Sequence, residues 1–236
     1  MLRAMLFDGP LAALTVTDVA AVVALFLTWL GLGYWIDTVP VGPPSVTRLM
    51  SDYRRRWMHE MVTRQPRIYD ATVLNGLRQG TAFFASSSLI AIGGALALIG
   101  NTEQLMGAAT ELGDEETATV VWQLKLCLVV VFLANAFLKF VWANRIFGYC
   151  AVVMSAVPNE VSDTAYKVAA QAAEINIRAA INFNRGLRSM YFALAAVTWV
   201  IGPLALGAAT AIAAYTIWQR EFVSRPRAIL KGDTAE

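Results

Sequence analysis

Charged side chains are scarce in this 236-residue chain: Asp, Glu, Lys and Arg make up 15% of it, against 57% for hydrophobic types. Soluble domains carry about 25% charged residues, so the deficit points to a membrane as the solvent. A mean hydropathy of +0.53 agrees. The charges present are nearly balanced, 19 basic against 17 acidic, which argues against nucleic acid as a partner by bulk electrostatics. Histidine occurs once, as His59, and this disfavours catalytic triads and histidine metal sites. The two cysteines, Cys127 and Cys150, have no metal-ligand spacing and form no disulfide framework of the small secreted type. There is no Gly-rich phosphate loop, no G-x-S-x-G elbow, no H-E-x-x-H pair and no carboxylate cluster at ligand spacing. An enzyme, a resident metal and a cofactor are therefore not expected, and without an internal repeat neither is an inverted-repeat transporter.

Long apolar runs are what the chain has instead. A crossing needs roughly 20 apolar residues, because the hydrocarbon core is about 30 Å thick and a helix rises about 1.5 Å per residue. Four segments qualify, at about 19–36, 80–100, 118–142 and 189–214. The first opens after Thr17 and Asp18, good N-cap types, and closes at Asp37 before Pro40, Pro43 and Pro44. The last belongs to an uncharged run from Ser189 to Trp218, and the economical reading is one tilted helix kinked at Pro203. The expected architecture is all-α: a single membrane domain over 1–236, four transmembrane helices, and amphipathic helices in cytoplasmic segments 37–79 and 145–188.

Orientation follows from the basic residues. Segment 37–79 holds seven arginines, and 145–188 holds five Lys or Arg, whereas 101–118 holds none and carries Glu103, Glu111, Asp114, Glu115 and Glu116. Both basic segments are expected in the cytoplasm and both termini outside. Arg3 at one end and Arg220, Arg225, Arg227 and Lys231 at the other sit poorly with that assignment, since they would face outward.

Three features stand out as candidate sites. In the first basic segment Val46, Leu49, Met50, Tyr53, Trp57 and Met61 recur at helical spacing, which predicts an amphipathic helix lying at the membrane interface. Arg54, Arg55 and Arg56 on that helix suit anionic headgroups, although the positive-inside bias alone explains basic residues there. In the third crossing Lys125, Asn135 and Lys139 fall within an arc of about 80° and form a polar stripe. It suits either a solute path or two lysines whose stems reach to the headgroups. After Pro158, Lys167, Gln171, Glu174, Arg178, Asn182 and Arg185 trace one polar line, with Glu174 and Arg178 at i, i+4. A solvated face explains that line. The sharper reading adds Arg78, Arg145 and Arg188, each at the basic end of a different crossing, as an anion site with Asn75 and Asn144. Glu174 and Asp70 are its available internal counter-charges. Small residues, among them Ala20, Ala24 and Gly31, predict close helix packing.

The run R-x-x-Y at Arg188 and Tyr191, followed by W-x-x-G-P at Trp199, Gly202 and Pro203, resembles the bacterial and plant integral membrane proteins catalogued as domain of unknown function 599. Leu124 with Lys125, Arg145, and Leu77 with Arg78 are similar to further positions of that family. The resemblance covers most of the chain and implies a four-helix membrane protein without assigning a reaction. Taken together, the expectation is a multi-pass protein of the bacterial inner membrane that binds anionic lipid, or a partner including a second copy of itself. A small permease or channel using the Lys125, Asn135, Lys139 stripe is the alternative.

Overall fold

The computed structural model describes residues 14–38, 43–102 and 119–232. Arg3 and the acidic segment from Glu103 to Glu116 lie outside the described residues. In chain order the helices are α1 (Val16–Thr38), α2 (Val46–Met61), α3 (Ile68–Gly100), α4 (Thr119–Ser155), α5 (Asp163–Val197), α6 (Pro203–Phe222) and α7 (Arg225–Lys231). Ser45 caps α2 by accepting from the Arg48 amide, and Ser162 caps α5 by accepting from the Ala165 amide.

Among the described residues, α1, α3 and α4 are long and apolar enough to cross a membrane. α3 has 33 residues and α4 has 37. At about 1.5 Å per residue they reach roughly 50 and 55 Å, well beyond a hydrocarbon core of about 30 Å. The excess belongs to the basic end, where it builds a second core. α4 is the central helix, packed most extensively on α5 and next on α3, while α2 covers the lower part of α5 and α6 lies on α1.

The apolar interior accordingly has two parts. The upper cluster joins Leu25, Phe132, Phe192, Trp199, Leu206 and Ile217. The lower one joins Met58, Met61, Leu74, Phe147, Met154 and Ala169 with neighbouring alanines of α5. Between them Phe84, Phe140 and Phe183, one from each of α3, α4 and α5, form a ring triangle with centroids 5.5 to 5.6 Å apart. Gly186 makes that junction possible, because a Cβ there would lie 2.6 Å from the Phe140 ring.

The uncharged run after Ser189 does not form one kinked helix. A short 3-10 turn over Thr198–Val200 ends α5, and Gly202 adopts φ 150°, a conformation that side-chain-bearing residues rarely take. Pro203 then occupies the first turn of α6, where its fixed φ and missing N–H suit a helix start. α6 runs back antiparallel to α5, so that Arg220 donates to the Tyr191 hydroxyl. In one continuous helix those residues would be about 43 Å apart. The reversal carries the chain to the basic end. Glu221 accepts from the Thr47 amide and hydroxyl at 3.0 and 2.9 Å, Arg227 donates to the Pro44 carbonyl at 3.0 Å, and Tyr53 donates to the Leu230 carbonyl at 3.4 Å.

Two packing expectations also change. α2 forms as expected, but Met58 and Met61 are buried in the lower core and Trp57 packs against it, donating to Asp70 at 2.7 Å. The C-terminal end of its apolar face is therefore covered by protein, while Met50 and Tyr53 remain exposed. On α1 the small-residue positions Ala20, Ala24 and Gly31 are exposed, and Leu25 and Ile36 face inward instead.

Candidate functional site

α1, α4 and α5 meet at a cleft of about 300 Å³ near the basic end of the upper bundle. α1 supplies Trp29, Leu30, Tyr34 and Asp37, α4 supplies Asn135 and Lys139, and α5 supplies Arg185, Arg188 and Ser189. The wall is apolar and open on its outer side, with Leu30 57% and Tyr34 65% exposed. Its floor is ionic. Asp37, with a side chain only 6% exposed, accepts from Arg188 at 2.8 Å on both carboxylate oxygens and from Arg185 at 2.7 Å. Asn135 donates to the Ser189 hydroxyl at 2.6 Å, which fixes the amide one turn above Lys139. Lys139 has no carboxylate partner among the described residues.

Three cations face one carboxylate here, so the cleft holds two positive charges in surplus. In a partly dehydrated place such charge is stabilised by an anion, and guanidinium forks fit phosphate or carboxylate oxygens. No general acid or base with a suitable partner accompanies them among the described residues.

The stripe of Lys125, Asn135 and Lys139 is split in two. Asn135 and Lys139 enter the cleft, whereas Lys125 is buried at the other end of the bundle, its ammonium 5.5 Å from the centroid of the Trp122 ring. Between them α4 presents Leu128, Val129 and Phe132 to the core, and the Phe132 ring meets Phe26, Trp29 and Phe192. Near Lys125, Asp18 accepts from the Trp199 indole at 2.7 Å and from Thr15.

The other predicted residues scatter. Arg188 is in the cleft, but Arg78 lines a separate depression between α3 and α4 with Asn75 and Arg67, and Arg145 is exposed and bonds Tyr149 on its own helix. The three do not share a site. Arg54 donates to Asn176, and burial holds its guanidinium below its ordinary pKa. Arg55 pairs with Glu174 at 2.7 Å and Asp52 at 3.0 Å, so Glu174 is engaged across helices and not by Arg178. Arg56 lies over the Tyr53 ring, and Arg178 is exposed in a groove that it lines with Arg48, Arg55, Asp52 and Glu174. Asp70 is taken by Arg64 and Trp57. His59 is exposed, its ring 4.7 Å from that of Tyr166. Sequence reasoning missed Asp37 as the hub and Arg185 as its second partner. The available signal was an acid closing a charge-free crossing, with two arginines three residues apart on another helix.

The fold and cleft define an all-helical protein with membrane-compatible helices and a cationic pocket at their basic end. It belongs to the family described as protein of unknown function, DUF599, whose model matches residues 20–226. No curated protein and no solved structure matches the chain. The family resemblance now has a physical content: Arg188 and Tyr191 hold Asp37 and Arg220, and Trp199, Gly202 and Pro203 build the reversal between α5 and α6.

Proposed function

We propose that this protein is a non-enzymatic membrane module that retains an anionic lipid through the cleft of Asp37, Lys139, Arg185 and Arg188. One observation carries the reading: two uncompensated cations sit in a cleft whose outer wall is apolar and exposed. A lipid phosphate meets both demands, its head on the cations and its chains against Leu30 and Tyr34. The positive-inside bias sets the basic end in the cytoplasm, the leaflet that carries anionic lipid. In this reading α1, α3, α4, α5 and α6 cross the bilayer, giving five spans, with the N-terminus outside and the C-terminus in the cytoplasm. That placement also draws Arg220, Arg225, Arg227 and Lys231 to the favoured side. The permease reading has less support, because the buried rings around Phe132 separate Lys125 from Lys139.

The test is lipid retention after detergent exchange, read by native mass spectrometry on the full chain. Phosphatidylglycerol or phosphatidic acid is expected to stay bound in preference to phosphatidylcholine. Substituting Lys139→Gln together with Arg185→Gln should abolish the preference. Equal retention of anionic and zwitterionic lipid by the unmodified protein would refute the proposal.

A further inference from the structure

A second cavity lies between α2 and α3, which meet through Trp57 and Asp70 but whose backbones seldom approach closely. Its volume is about 360 Å³, at the lower end of the range for small-molecule sites, roughly 300–1,000 Å³. Val46, Met50, Leu77, Phe147, Ile181 and Phe183 give it apolar walls. Gly76 and Gly80 are exposed and carry nothing within 4 Å of a built Cβ, so the α3 side is open. Inside stands Arg54. Among the described residues its one hydrogen-bond partner is the neutral Asn176 side chain, and Glu221, the carboxylate that lines the same cavity, is bonded to Thr47 instead. Such a cation, half-buried and in no ion pair, is suited to take an anion from elsewhere.

The charge count selects the anion. Arg54 offers one positive charge and an unused edge of its guanidinium fork, which matches a carboxylate. Glu221 lines the same cavity, and its negative charge disfavours a second one on the ligand. The cavity accommodates one acyl chain rather than two, and it runs from Arg54 toward Gly80 and Thr81, at the level where the apolar run of α3 begins. From this we infer that the groove between α2 and α3 binds a long-chain fatty acid, its carboxylate on Arg54 and its chain directed toward the bilayer. This site is independent of the Asp37 cleft, which shares none of its lining residues.

The experiment uses the full chain in phosphatidylcholine nanodiscs and a palmitic acid analogue bearing a photoactivatable diazirine on its chain, with adducts mapped by mass spectrometry. Adducts are expected on residues 46–54 and 76–81, and unlabelled oleate should displace them. Arg54→Gln should weaken binding about tenfold or more, the loss typical of a charge-assisted hydrogen bond. Gly80→Leu does not touch Arg54 and fills the groove, so it should remove the adducts even if Arg54→Gln fails to fold. The inference is overturned if adducts spread evenly over lipid-facing helices or persist in Gly80→Leu. It is equally overturned if oleate methyl ester competes as well as oleate, or if a single-chain phosphate lipid displaces the probe better than oleate does.

Discussion

Arg220 donates to the hydroxyl of Tyr191, 29 positions earlier, and its guanidinium carbon lies 5.3 Å from the centroid of that ring. The contact requires α6 to return alongside α5, and it puts the C-terminal segment at the same end of the bundle as α2. A pair of reporters fused after Glu236, one active only in the cytoplasm and one only outside it, should therefore give signal from the cytoplasmic reporter alone. Signal from the outside reporter would contradict five crossings and restore an even number.

Two glycines set how closely the helices approach, by different means. Gly202 holds the turn through its φ of 150°, and Gly186 leaves room for the Phe140 ring. Gly202→Ala should destabilise by about 1–3 kcal/mol through backbone strain. Gly186→Ala should lose about the same through overpacking. Gly148→Ala is the control, since a Cβ there meets nothing within 4 Å. Thermal unfolding in detergent reads all three, and a Tm for Gly202→Ala or Gly186→Ala equal to the control's would refute the corresponding contact.

How much of this was legible in the sequence depends on what periodicity and charge encode. α1 and the upper parts of α3 and α4 were readable because a charge-free run has one solution in a bilayer. Their lower halves were not, since toward the basic end beyond Arg78 and Arg145 only one side of each helix is buried against other helices, at Asp70 and Leu74 on α3 and at Phe147, Cys150 and Met154 on α4. The run after Ser189 was ambiguous by length alone, and Gly202 next to Pro203, with the basic C-terminus, was the cue for reversal. At the site, Lys139 and Arg188 were identified separately, and their meeting at Asp37 is a tertiary fact. Arg145 was misread because its depth was inferred and its direction was not: at 100° per residue it lies about 160° around α4 from the buried Ala143 and Phe147.

Trp199 and Asp18 join the far end of α1 to the turn after α5. Trp199→Phe keeps most of the ring volume and deletes the indole N–H, leaving the Asp18 carboxylate with the Thr15 bonds alone. The loss should be about 1–3 kcal/mol, as for a hydrogen bond to a charged group. Trp199→Leu should lose more, because packing against Leu206 and Phe192 goes with it. Equal Tm values for the two variants would show that the ring's volume contributes nothing beyond its N–H.

Asp37 and Lys139 have opposite effects on the cleft, which allows charge to be separated from stability. Asp37 stands between Arg185 and Arg188, so Asp37→Asn removes both ion pairs and raises the surplus from two positive charges to three. Breaking a buried pair from one side leaves an uncompensated cation, a loss of about 3–5 kcal/mol. The Tm should fall, and an anionic lipid should restore much of it, because a ligand that binds only the folded state stabilises by mass action. Lys139→Gln breaks no described ion pair and lowers the surplus to one, so its Tm without lipid should match the unmodified protein. The stabilisation by anionic lipid should then follow the order Asp37→Asn, unmodified, Lys139→Gln, measured as the Tm shift on adding phosphatidylglycerol to protein in a neutral detergent. A purely structural Asp37 would give the same lipid-induced shift in all three proteins, and that outcome would remove the cleft from consideration as a lipid site.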